Sequence, residues 1–170
     1  MSYGTYDGYF ALFPNGVGQP DYTRLAWEAD RVIDRHTTGA DNVRKLKVAF
    51  PTDADTVETI NRCEYALVNL MSEIEKAEAD SAKARSIVTR ADGTVTSALV
   101  SSISSGSESM SFATGSNSAS TGISEAVSSL SARRRLFGEL VREYLSGLED
   151  ANGVNLLYMG AHQISTFHFT

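Results

Sequence analysis

The chain has 170 residues, 42% of them apolar and 21% charged, with a formal net charge of −6. That is an ordinary globular composition, long enough to bury a core, and it excludes wholesale disorder. The acidity argues against a surface that grips phosphates throughout, no apolar run approaches the ~18 residues of a membrane helix, and the single cysteine, Cys63, excludes an internal disulfide.

Residues 1–20 mix glycines and prolines with Tyr3, Tyr6, Tyr9, Phe10 and Phe13. Gly and Pro punctuate turns, so this segment is expected as an extended aromatic arm, laid over its own domain or a neighbour. Its opening shows no basic stretch followed by an apolar one, the mark of a secretory leader, and synthesis in a reducing cytoplasm is expected. Asp21 is the expected N-cap of a first helix, with Leu25, Ala29, Val32, Ile33 and His36 on one face and Gly39 at its end. Trp27 lies off that stripe, at the core edge or against another subunit.

A short helix is expected between Asp41 and Phe50, stopped by Pro51. Thr52, with Asp55 three residues on, opens the longest helix as an imperfect capping box. Val57, Ile60, Cys63, Leu67, Leu70, Met71 and Ile74 make a stripe wide enough to meet more than one partner element. The run from Glu73 to Arg85 reads as its exposed end.

From Thr94 to Ser131 half the residues are Ser or Thr, and only Glu108 and Glu125 carry charge. Asp92-Gly93 signals a hairpin turn between Ile87-Val88 and Val95 with Leu99-Val100. The segment is expected as a long loop or hairpin excursion over about 87–120. A last helix is expected from Thr121 or Ser124 to Leu148, ended by Gly147 and Asn152-Gly153. The tail reads as extended. The expected fold is therefore mainly α: a small bundle of three to four helices with a Ser-rich excursion and extended N- and C-terminal arms. Its parts are an aromatic arm (1–20), a helical domain (21–150) and a tail (151–170).

A search for chemistry finds no persuasive catalytic set. There is no GxSxG elbow among the many serines. His36 sits on an apolar stripe, and His162 and His168 lie in the tail, a poor platform for precise geometry. Cys63 is expected as a buried, inert thiol. The carboxylates follow no calcium-loop pattern, and no phosphate-cradling glycine motif is present. Arg133, Arg134 and Arg135 spread around a helix and are read as a solvated face paired with Glu139 and other acids, or else as intersubunit salt bridges or a contact with an acidic partner.

The layout of these features resembles the head-tail adaptor (head completion, or connector) proteins of long-tailed bacteriophages. The opening helix carries Tyr22, Thr23, Leu25, Ala29, Ile33 and Asp34 in the family's spacing. A second helix follows Val43-Arg44-Lys45-Leu46. A polar Ser-Gly-Ser-Glu-Ser stretch, residues 100–112, precedes the final helix, and Gly153 to Gly160 is similar to the family's Gly-Leu-Leu-Tyr-x-Gly ending. The aromatic arm, the extension around 73–90 and the tail beyond Gly160 exceed the compact family pattern.

The resemblance implies a structural virion protein with no catalytic residues, no cofactor and no metal. Such adaptors form a homo-oligomeric ring, commonly of twelve subunits, beneath the portal protein. The ring extends the channel through which double-stranded DNA passes without specific binding, and it offers a platform to the next neck protein, the stopper, or to the tail. The expected location is the virion neck, after synthesis in the host bacterial cytoplasm, with no membrane contact. On this reading Ser101, Ile103, Glu108, Met110 and Phe112 form an intersubunit or neck-contact loop. Leu156, Leu157, Tyr158, Met159, Phe167 and Phe169 form a portal-contact tail. A stopper or tail terminator is the alternative, disfavoured because those proteins are usually β-rich. A serine hydrolase lacks a motif and a base, and a DNA-binding regulator fails on charge and on the lack of a helix-turn-helix pattern.

Overall fold

The computed structural model of the chain describes residues 2–84, 87–89, 95–97, 102–105, 108–111, 121–158 and 160. It is mainly helical. In chain order the elements are α1 (Tyr6–Leu12), α2 (Gln19–Thr37), α3 (Lys45–Val48), α4 (Ala54–Ala84), strands β1 (Ile87–Thr89), β2 (Val95–Ser97), β3 (Ser102–Ser105) and β4 (Glu108–Ser111), then α5 (Thr121–Ser128) and α6 (Leu130–Leu145). Among the described residues there are two compact units. One runs to Ser72 and resumes at Arg134; the other is Glu73–Arg133.

The first unit holds the main core. The face of α2 that turns inward is Tyr22, Leu25, Ala26, Ala29 and Ile33, as the 3.6-residue period requires. It meets Ile60, Cys63, Leu67, Val68 and Met71 of α4 and Val141 and Leu145 of α6. Each such fully buried aliphatic side chain contributes roughly 1.5–3 kcal/mol against leaving it in water. Gly138 of α6 lies against the His36 ring, and a Cβ there would stand 3.0 Å from His36 Cε1, a tight contact.

The N-terminal segment is not an extended arm. Tyr6–Leu12 is helical, Thr5 caps it by accepting from the Gly8 amide at 3.2 Å, and Tyr9 is fully buried. Helicity in so short a piece comes from tertiary packing rather than propensity. Its rings supply that packing: Tyr9 lies 5.1 Å from Tyr22, 5.4 Å from Phe13 and 6.2 Å from Tyr65, centroid to centroid.

Helix boundaries also shift from their expected places. Gly18, not Asp21, is the N-cap of α2; Pro20 and Asp21 fall inside the first turn, where a missing N–H and a negative charge are both tolerated well. Asp53, rather than Thr52, caps α4, accepting from the amide and hydroxyl of Thr56, each at 2.9 Å. The short helix expected from Asp41 narrows to α3, because Asn42 takes a left-handed φ of 59° and Arg44 bridges back to Thr38. The single last helix is two, α5 and α6, parted at Ser129, whose hydroxyl accepts from the Ala132 amide at 3.4 Å as a new helix start. Gly147 (φ 79°) and Gly153 (φ 75°) make the turns that follow.

In the second unit, β1 pairs antiparallel with β2 (Ile87 opposite Ser97) and β3 with β4 (Ile103 opposite Met110). The expected turn at Asp92-Gly93 and the residues Leu99-Val100 lie outside the described residues. Within this unit Ile74 and Ala126 are buried, and the Arg133 guanidinium donates to the Ala126 carbonyl at 3.1 Å.

Candidate functional site

The expected neck-contact loop contains a pair of antiparallel strands, β3 and β4. Ile103 and Met110 are register partners and Glu108 is opposite Ser105. Ser101 and Phe112 lie outside the described residues.

The expected contact tail divides. Leu156 is fully buried in its own core, so it is not free to enter a groove on a partner, and Leu157 packs against the same cluster. Tyr158 is 56% exposed. Met159, Phe167 and Phe169 lie outside the described residues. Residues 149–156 are not a simple extended run. Glu149 bridges to Asn155, the Asp150 amide donates to the Val154 carbonyl at 2.9 Å, and the Asp150 carboxylate accepts from the amides of Asn152 and Val154 at 2.8 and 2.9 Å. A buried carboxylate that collects amides in this way holds a tight turn.

Lys45 holds the chain just beyond that turn. It is fully buried, and its ammonium donates to the carbonyls of Asn155 at 2.9 Å, Leu156 at 3.2 Å and Tyr158. Three donors meet three carbonyls, which is the full capacity of an ammonium. Burial pushes its pKa down, and the charges of Asp150 and Asp41 work against that shift.

The arginine triplet serves its own chain at two of three positions. Arg133 pairs with Glu78, and Arg135 lies 3.8 Å from Glu139 one helix turn on. The pairing with Glu139 and another acid of the same chain is thus made by Arg135 and Arg133, and Arg134 is exposed.

The densest polar cluster is one that periodicity alone did not single out. Glu64 is fully buried in the middle of the apolar face of α4, and Asp30 and Asp34 are nearly so on α2. Glu64 Oε1 accepts from the hydroxyls of Ser2 and Tyr22, each at 2.8 Å, and Oε2 accepts from the Gly4 amide at 2.6 Å. The Tyr3 amide reaches Asp30 Oδ1 at 3.4 Å, the Tyr3 hydroxyl donates to Asp34, and the Thr5 amide donates to the Tyr65 hydroxyl at 3.0 Å. The Tyr3 ring stacks on Phe50 at 5.9 Å, with the Lys47 ammonium 4.6 Å from its centroid. Residues 2–5 are thereby fastened to α2 and α4. The signal available in the sequence was a charge at a core position: Glu64 falls between Ile60 and Leu67 at helical spacing, and a buried charge demands partners.

Electrostatics follow from this crowding. Burial, then the negative charge and hydrogen bond of Glu64, push Asp30 up to about 7; the Tyr3 amide and Lys47 oppose that. Burial and their carboxylate partners push the phenols of Tyr3 and Tyr22 well above the usual range. A carboxyl pair with one member near neutral is suited to acid–base work. Here Glu64 accepts from the Ser2 and Tyr22 hydroxyls and the Gly4 amide, and Asp30 from the Tyr3 amide, so the pair holds the N-terminal segment. Cys63 is buried and its thiol is pushed up to about 12, chiefly by burial, which leaves it a poor nucleophile. His36 is pushed down by burial and by Arg142 and Arg35. Among the described residues no three His, Cys, Asp or Glu side chains gather to hold a metal, and no helix is long and apolar enough to cross a membrane.

No family model matches the chain, and neither a curated protein nor a solved structure is found to be similar to it.

Proposed function

We propose that this chain is a structural virion protein: a head-tail adaptor whose copies form a ring, commonly of twelve in such adaptors, below the portal. The ring extends the DNA channel and joins capsid to tail. One observation carries the reading, the order of the patches along a mainly helical chain. The Tyr-Thr-x-Leu spacing lies in α2, the Ser-Gly-Ser-Glu-Ser stretch lies between α4 and the final helices, and the Gly-Val-Asn-Leu-Leu-Tyr ending follows them.

Physical chemistry supports it. A wall that passes DNA must not hold phosphates, since each basic contact acts as a brake, and the chain carries 21 acidic against 15 basic residues. In this reading three to four helices make the body of the adaptor. The Ser-rich excursion meets a neighbouring subunit or the next neck protein through Ile103, Glu108 and Met110. Tyr158 is offered to the portal while Leu156 stays in its own core. No catalytic step and no cofactor are assigned.

The test is electron microscopy of portal particles mixed with the purified protein. A layer of density capping one end of the portal is expected. Portal particles that stay bare at saturating protein would contradict the proposal.

A further inference from the structure

Two crevices in the first unit share one arginine. The first, of about 310 Å³, is lined by Arg31, Asp34, Arg35, Thr38, Asn42 and Arg44. The second, of about 370 Å³, is lined by Val32, Arg35, His36, Arg134 and Phe137. Four guanidiniums thus face two adjoining hollows, and one carboxylate answers them. That carboxylate, Asp34, already accepts from the Tyr3 hydroxyl and lies 3.9 Å from Arg44. Among the described residues neither Arg35 nor Arg134 has an ion-pair partner. On a chain of net charge −6 this is a local reversal of sign.

The same face of α2 continues to Trp27. Trp27, Arg31 and Arg35 recur every four residues and so stand in one row. Trp27 is 59% exposed, with the Arg31 guanidinium 4.8 Å from its ring centroid. Exposed Trp beside Arg is the composition of protein interface anchors. The second crevice adds an apolar wall, Val32 and Phe137, flanked by Arg35 and Arg134. Burial, and then the positive charges of Arg142 and Arg35, lower the affinity of His36, within it, for a proton.

We propose that this face binds an acidic segment of a partner protein, with a carboxylate seated among Arg31, Arg35 and Arg44 and an apolar side chain seated against Val32 and Phe137. Guanidinium forks match carboxylates bidentately, and an apolar slot beside them selects a peptide over a bare polyanion. A DNA duplex fits less well, because the chain as a whole carries a net charge of −6 and phosphates offer nothing to the apolar wall. The inference does not depend on the ring: a chain that never meets a portal could still bind such a segment.

Trp27 is the only tryptophan of the chain and reports on the site directly. The probe is the acetylated, amidated peptide Glu-Glu-Phe-Glu-Glu, titrated against the full chain at low ionic strength. A saturable change in Trp27 fluorescence is expected, with the Gln-Gln-Phe-Gln-Gln peptide binding about tenfold more weakly, the loss of one charge-assisted contact. Arg35→Gln and Arg134→Gln, both at exposed positions, should each weaken the Glu peptide by about the same factor, and Arg62→Gln on α4 should not. The proposal is overturned if the peptide gives no saturable change, if Arg35→Gln and Arg134→Gln bind as the parent does, or if a twelve-base-pair duplex binds more tightly at the same ionic strength.

Discussion

The Tyr22 hydroxyl donates to Glu64 Oε1 at 2.8 Å, across forty-two residues of chain, and both side chains are buried. The same carboxylate takes the Ser2 hydroxyl and the Gly4 amide. One residue in the middle of α4 therefore joins α2 to the start of the chain. Glu64→Leu leaves the buried Tyr22 hydroxyl and the part-buried Ser2 and Gly4 donors without their acceptor. An unsatisfied buried donor costs about 1–3 kcal/mol, so a loss of about 3 kcal/mol in urea unfolding is expected. Amide exchange at Gly4 and Thr5 should rise more than exchange at Leu67. Uniform exchange across the chain would mean that Glu64 does not fasten the N-terminal segment.

Asp30 gives stability a pH dependence of unusual sign. Its folded value of about 7 stands above the ordinary value of 3.8. Between these two values the unfolded chain has released the proton and the folded chain retains it. The unfolded state then binds fewer protons, so this group's contribution falls as pH rises through the window. It is fully present below about pH 4 and lost once pH passes about 7. Asp30→Asn mimics the neutral acid and removes the dependence. The stability of Asp30→Asn relative to the parent should therefore rise from pH 4 to pH 7 and level off above, in denaturant midpoints taken at each pH. A flat difference would show that Asp30 is ionised throughout.

Lys45→Met keeps the aliphatic stem of a buried side chain and removes its ammonium. The carbonyls of Asn155, Leu156 and Tyr158 lose their donor. Destabilisation of about 1.5–3 kcal/mol is expected, the range for hydrogen bonds to a charged group, with new protease cleavage between residues 155 and 160. Leu156→Ala acts on the same segment from the apolar side and should cost about 2–5 kcal/mol. Unchanged cleavage in Lys45→Met would show that the segment is held by other contacts.

Gly8 breaks the usual helix rule for a physical reason. Alanine inside a helix is normally better than glycine by about 1 kcal/mol, yet a Cβ at Gly8 would overlap the Tyr65 hydroxyl. Gly8→Ala should therefore destabilise by about 1–3 kcal/mol, the range for overpacking. Removing the hydroxyl with Tyr65→Phe should recover part of the loss, giving a double variant more stable than the two single effects added together. Strict additivity would show that the two residues do not meet.

The parts of the fold legible in the sequence were those that repeat. Leu25, Ala29 and Ile33 on α2, and Ile60, Cys63, Leu67 and Met71 on α4, announce their burial by spacing alone, and all are in the core. The glycines at 147 and 153 announce their turns. What stayed hidden depends on distant partners. Gly4 and Gly8 look like helix breakers in a local window, but they are the surface on which the Tyr65 ring lies. Glu64 and Lys45 look like surface charges until the amides and carbonyls that answer them, some sixty and a hundred and ten residues away, are folded against them. The break at Ser129 is likewise invisible to a periodicity that continues through it.

The proposed adaptor ring is open to a direct weighing, by mass photometry of the purified protein, alone and with portal particles. Twelve copies of an 18.4 kDa chain weigh about 220 kDa. Either a species of that mass or a portal particle heavier by that amount is expected. A small species whose mass does not change with concentration, and which leaves the mass of the portal untouched, would contradict the ring.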